Sequence, residues 1–187
     1  MDLDIIDRCL AALLQLDGRL SHTDLARRLG IPEATIRRRI KRLLDEGVMQ
    51  IVALPEPSKI GYGVHAIVGL RLQPGKIGSA LTRLKTLRQV RYIGVTAGTY
   101  DIVIETFFRS NDELREFLID TLGRIDGLLG TETSYVLDIV KRAYRIDLLP
   151  NRWRNGVGED DQEILARCRI ALDEFDERGV GDEAEPE

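Results

Sequence analysis

The sequence predicts an α+β protein in two parts: an N-terminal helix-turn-helix domain, then a C-terminal ferredoxin-like βαββαβ domain with a C-terminal helical extension. Three observations carry this. Residues 21–49 hold two short helical patterns around a glycine turn, the second of them dense in arginine. Two prolines in a polar stretch, Leu54-Pro55-Glu56-Pro57-Ser58, break the chain after it, as linkers do. Past the break, helical and strand-like periods alternate in the order β-α-β-β-α-β.

Leu3, Ile6, Leu10, Leu13 and Leu14 keep helical spacing and predict a first helix ending near Asp17-Gly18. Ser21 with Asp24 is an acidic capping box, so the second helix begins just after Ser21. Leu25, Ala26 and Leu29 are its buried face, and Gly30 supplies the left-handed residue that ends it. Pro32 suits the first turn of a third helix, where a missing N–H costs nothing, and Gly47 closes that helix. Ile36, Ile40, Leu43 and Leu44 form one apolar stripe, which turns Thr35, Arg37, Arg38, Arg39, Lys41 and Arg42 toward solvent. A short helix pinned by its neighbour and cationic outside is what the DNA major groove accepts. A small bundle with a solvated basic face is the plainer reading of the arginines alone. The caps, the glycine turn and the flanking helix together favour DNA binding.

In the second part, Ala66, Val68, Leu70 and Leu72 alternate with His65, Ile67, Gly69 and Arg71, a strand. Ile77, Ala80, Leu81, Leu84 and Leu87 keep helical spacing. Residues 90–96 and 101–108 are β-rich runs joined at Ala97-Gly98-Thr99-Tyr100, a hairpin. Ser110 and Glu113 cap a helix that buries Leu114, Phe117, Leu118 and Leu122. Gly127 and Gly130 bracket a turn before a last strand over 131–140. Helices on one face of a four-stranded sheet leave the other face to be covered, usually by a second subunit. Domain limits are expected at 1–54, 55–63 (linker), 64–150 and 151–187 (acidic helical tail).

The net charge of −4 is uneven. Residues 1–54 hold 9 Lys/Arg against 8 Asp/Glu, residues 55–150 hold 13 against 11, and residues 151–187 hold 5 against 12. The acidity therefore belongs to the tail, and the local patch is what DNA meets. Within the tail, Ile164, Leu165, Cys168, Ala171, Leu172 and Phe175 form a stripe expected to pack on the sheet domain or a neighbouring subunit, with residues 179–187 disordered. Cys9 and Cys168 are far apart in sequence and fit neither a disulfide framework nor a zinc site. No apolar run approaches the length of a membrane span and no leader is evident, so a cytoplasmic protein without membrane contact is expected.

Six motifs in order tie the two parts together: Leu3-Asp4-x-x-Asp7, Asp17-Gly18-Arg19, Leu25-Ala26-x-x-Leu29-Gly30, Arg37-Arg38-Arg39-Ile40-x-Arg42-Leu43, Glu46-Gly47-Val48 and Thr96-Ala97-Gly98-Thr99-Tyr100-Asp101. Over residues 3–146 the chain thereby resembles the Lrp/AsnC (feast/famine) transcription regulators. The resemblance implies sequence-specific binding of double-stranded DNA and regulation of transcription. It also implies a RAM-type sheet domain that senses an amino acid or related metabolite, and a homodimer that can assemble into tetramers or octamers. It adds weight to an effector site at Ala97, Gly98, Thr99, Tyr100 and Asp101, joined by Thr131, Thr133 and Ser134. Backbone N–H groups of the bend would hold a ligand carboxylate, and Asp101 its ammonium. Two features depart from the family: Pro32-Glu33 at the start of the third helix, and the tail beyond residue 150.

An enzyme on the same fold is the alternative, since some proteins resembling this family decarboxylate tetrapyrroles with sheet-domain histidines. Only His22 and His65 exist here. His22 reads as a polar helix-start residue and His65 as a packed strand residue. Asp101 and Glu105 alternate onto one face of a strand, weak grounds for acid–base chemistry. No metal-ligand spacing, phosphate loop or nucleophile–base set stands out, so no catalytic residue, metal or cofactor is expected.

Overall fold

The computed structural model describes residues 3–142, 144–149 and 159–176. The chain divides into two compact units, residues 1–53 with 142–187, and residues 54–141.

The helical unit contains α1 (Ile5–Leu16), α2 (His22–Leu29), α3 (Glu33–Asp45) and α6 (Glu159–Asp176). Its starts follow capping chemistry. The Asp4 side chain accepts from the Asp7 N–H, and the Ser21 side chain accepts from the Asp24 N–H, each satisfying one of the donors a helix start leaves unpaired. Gly30 takes φ 69°, and its N–H and that of Ile31 both return to the Ala26 carbonyl, the left-handed stop the sequence predicts. Pro32 sits at the cap of α3, just before its first turn rather than within it. The core joins Leu10 and Leu13 of α1, Leu25 and Leu29 of α2, and Ile36, Ile40 and Leu43 of α3. Leu44, expected in the same stripe, is exposed, because the three-residue arc through Ile36, Ile40 and Leu43 already fills the contact.

Helix α6 corrects the expectation for the tail. It packs on α1 and α2 and buries Leu165, Cys168, Ala171 and Phe175 in the helix-turn-helix core. The reason lies in α1, which is apolar along most of its length and packs against α6 as well as α3, with Ile5, Cys9, Leu10, Leu13 and Leu14 in the same core. Cys9 and Cys168, remote in sequence, are thus neighbours. A hydrogen bond to the Cys168 thiol, with burial, pushes the Cys9 thiol well above its ordinary range, so it is an unreactive core group. The disorder expected for 179–187 falls outside the described residues.

The second unit is a four-stranded antiparallel sheet in the order β2-β3-β1-β4: β1 (Val64–Leu72), β2 (Val90–Val95), β3 (Ile102–Phe108) and β4 (Leu128–Tyr135). Helix α4 (Ile77–Leu84) follows β1. Helix α5 (Asn111–Glu116) follows β3, starts at the Ser110 cap, and runs on as a wider turn and a 3₁₀ turn to Arg124. Val64, Val68, Leu70, Leu72, Ile102, Ile104 and Phe108 fill the helix-covered face with Ala80, Leu84, Phe117 and Leu122. Strand β4 starts and ends earlier than the 131–140 expected. Gly127, at φ 78°, makes the turn, and Gly130 lies inside the strand opposite Arg71. Past Tyr135, the Val136 N–H still bonds back to β1, at the His65 carbonyl.

Candidate DNA-reading helix and effector turn

On α3 the six predicted DNA-contacting side chains separate into two groups. Asp7 of α1, 1 % exposed, accepts from Arg39 Nη1 at 3.0 Å and from Arg42 Nη2, and Arg39 also reaches Asp4 Oδ2 at 2.6 Å. A carboxylate so deeply buried is tolerated because two guanidinium groups close over it. For Asp4, burial raises the carboxyl pKa, but the Asp7 N–H and the Arg39 guanidinium outweigh it and hold the group below its ordinary range. Arg39 is accordingly half-buried, a clamp between α1 and α3.

Thr35 is half-buried on the outer side of α3, while Arg37, Arg38 and Lys41 are exposed there. Lys41 pairs with Asp45 one turn on, and Arg37 with Glu33 at 2.8 Å. Arg38 makes no ion pair among the described residues. Glu33 also accepts from the Thr23 hydroxyl at 2.9 Å. The Thr23 hydroxyl first, then Arg37, holds its carboxyl below the usual range. The departure from the family at Glu33 is thus a tie between α2 and α3.

In the sheet unit, the bend after β2 is held by the Thr96 N–H to the Asp101 carbonyl and by the Thr96 hydroxyl to the Tyr100 carbonyl. Asp101 is anchored twice to β1: its N–H bonds the Leu70 carbonyl at 3.0 Å, and its Oδ2 accepts from the Leu72 N–H at 2.7 Å. Gly98 has no positive φ, and a Cβ there would meet nothing within 4 Å. Neither turn geometry nor packing requires a glycine at that position. The Tyr100 ring lies across Gly69, where a Cβ would sit 2.5 Å from it, and its hydroxyl donates to Glu132. That carboxylate raises the Tyr100 pKa.

Strand register separates the remaining predicted residues. Thr131 and Thr133 pair with Leu70 and Val68 and share the helix-covered face at the sheet edge. Ser134 pairs with Ile67, and Glu132 with Gly69, on the open face with Tyr100. Gly69 and Glu132 were not among the predicted site residues. A glycine in mid-strand signals close approach of another group, and that was the available clue.

The enzyme alternative finds no support. His65 stacks on Phe107 with centroids 4.3 Å apart and puts Nε2 2.9 Å from Glu105 Oε1, while the Asp101 carboxylate is bound to backbone. Among the described residues, no three His, Cys, Asp or Glu gather as a metal site, and no helix is long and apolar enough to cross a membrane.

A helix-turn-helix with an exposed cationic third helix, joined to a separate small-molecule-type sheet domain, defines a DNA-binding transcriptional regulator with a ligand-binding domain. Residues 3–44 match the AsnC-type helix-turn-helix domain, and residues 65–146 match the Lrp/AsnC ligand binding domain. The chain belongs to the Lrp/AsnC family. It is 38 % identical over 143 residues to an uncharacterized HTH-type transcriptional regulator of Pyrococcus furiosus, covering 76 % of this chain and 97 % of that protein. Escherichia coli AsnC superposes with a TM-score of 0.70 at 30 % identity, covering 76 % of this chain and 97 % of that one. The Neisseria meningitidis regulator NMB0573 in complex with L-Met shares the fold, with a TM-score of 0.73 at 24 % identity, covering 79 % and 98 %. Neither family match extends to α6.

Proposed function

We propose that α3 reads the major groove through Thr35, Arg37 and Arg38, that Lys41 contacts phosphate, and that Arg39 and Arg42 mainly hold α3 against α1. The observation that carries this is the division of charge on α3. Asp7 binds Arg39 and Arg42, whereas Arg38 projects into solvent without a partner among the described residues. If Arg38 meets a guanine, Arg38→Ala weakens binding to a duplex selected from a random pool by about 1–3 kcal/mol and relaxes preference at one position. If it meets only phosphate, the loss is uniform across sequences and the salt slope falls by about one. Unchanged affinity in an Arg37/Arg38→Ala protein would refute the assignment.

The effector we infer is an amino acid or related small metabolite at the bend formed by Ala97, Gly98, Thr99, Tyr100 and Asp101. Gly98 supports this, since its bare backbone leaves open space in which a ligand can approach the bend. Asp101 keeps one carboxylate oxygen beyond its bond to Leu72, and Glu132 offers a second carboxylate beside Tyr100. Ser134 faces the same side, while Thr131 and Thr133 reach a ligand only around the strand edge or from another subunit. A Neisseria regulator of this fold in complex with L-Met fits the class. Calorimetric titration with the twenty amino acids, on wild type and on Gly98→Val, is the test; binding undiminished by Gly98→Val would move the site elsewhere.

We further take the chain to regulate in the cytoplasm, without catalysis, as a homodimer or a higher assembly of dimers.

A further inference from the structure

We propose that α6 is an electrostatic guard on the reading unit: its carboxylates, led by the exposed Glu163 and Asp173 with the half-buried Asp161, repel DNA from the α1–α2 flank and so raise preference for the bound site over bulk sequence. The first observation is charge. Residues 159–176 carry seven carboxylates and two arginines, whereas residues 1–54 carry a surplus of one positive charge. Docking α6 therefore reverses the sign of the unit.

Placement is the second observation. The apolar side of α6 is consumed by α1 and α2, which leaves its acidic side outward; the Glu163 side chain is 70 % exposed. Asp161 and Asp173 make no ion pair among the described residues. The third observation is what α6 takes away. Glu174 binds Arg28 at 2.8 Å, and Phe175 lies under the same guanidinium at 5.0 Å, so this α2 cation is left only 16 % exposed. Arg167, laid against Gly30, is itself held by Glu163 at 2.7 Å. Arg37, Arg38 and Lys41 on α3 remain exposed.

Binding to arbitrary sequence is a counterion-release interaction that tolerates many orientations, whereas a selected sequence demands the α3 face. Screening confines each charge to about 10 Å at 0.1 M salt. A carboxylate flank therefore penalises the orientations that bring α2 and α6 to phosphate, and weighs less on the one that seats α3.

The test uses the full chain and three proteins: wild type, Asp161→Asn/Glu163→Gln/Asp173→Asn, and a control, Asp112→Asn/Glu116→Gln/Asp120→Asn, with the same charge change on α5 and the turn after it. Affinity for a short random-sequence duplex, and for a duplex selected by wild type from a random pool, is followed by fluorescence anisotropy from about 0.05 to 0.3 M salt. The α6 variant is expected to bind random duplex about three- to tenfold more tightly at low salt, with the gain shrinking as salt rises. The selected duplex should gain less than the random one, and the control should change random binding by less than the α6 variant. An unchanged random-duplex affinity, an equal gain on both duplexes, or an equal gain in the control would each overturn the proposal. The single Asp173→Asn protein keeps the test open if the triple variant loosens α6, and it should show a smaller shift in the same direction.

Discussion

At the scale of single residues, the buried carboxylate of Asp7 explains why two of the five bases on α3 do not face solvent freely. Replacing Asp7 with Asn leaves Arg39 and Arg42 around a neutral group, and removing one partner of a buried pair costs about 3 kcal/mol. Chemical denaturation should show that loss in the helical unit. The pH dependence follows from the ties of Asp4 and Glu33. Both carboxyls titrate below their ordinary values in the folded state, so the unfolded chain binds more protons and stability rises with pH. Their contribution is complete above the ordinary carboxylate pKa of about 4 and is lost as pH falls through the lower folded values. Thermal melts between pH 6 and pH 3 should steepen below about 4, and Asp4→Asn/Glu33→Gln should flatten that decline. The bases of α3 were legible from helical spacing. Their division was not, because it depends on where α1 places Asp7, which lies 32 and 35 residues away in sequence from Arg39 and Arg42.

At the scale of elements, local signals located most boundaries: Ser21, Gly30 and Ser110 act through their own side chains or φ within a few residues. Strand β4 stops at Tyr135, opposite Ala66 near the start of β1, and nothing inside 131–140 marks that limit in the sequence. Helix α6 was legible as an amphipathic helix from its stripe. Its docking face was not, since the same stripe fits any apolar surface and the vacancy on α1 is a property of three helices together. Phe175→Ala should cost the helical unit about 3 kcal/mol, because the ring is 5 % exposed and also supports Arg28. A chain truncated after Leu149 should lose more, with a lower melting temperature in the helical unit and an unaltered sheet unit. A truncated chain that melts as the full one does would make α6 dispensable to the core.

At the scale of the whole molecule, the open face of the sheet is the feature a single chain leaves unresolved. Ile67 is 41 % exposed and Tyr92 58 % exposed, and strand register puts both on the side away from α4 and α5, with Val103 and Phe107. Exposed apolar side chains on such a face are where we expect an interface, and a two-fold pairing would cover them with the same patch from a second copy. Ile67→Lys tests this without endangering the monomer. The new ammonium lies directly across from Glu105, a favourable cross-strand pair, while symmetry brings a second uninvited charge into the same interface. Sedimentation at micromolar concentration should find wild type as a dimer or larger, and Ile67→Lys shifted toward monomer with unchanged sheet content. DNA affinity should fall with it, since two joined reading units raise each other's effective concentration and a lone unit does not. A wild-type protein that sediments as a monomer, or an Ile67→Lys protein that dissociates yet binds a selected two-half-site duplex as tightly as before, would separate DNA reading from assembly through this face.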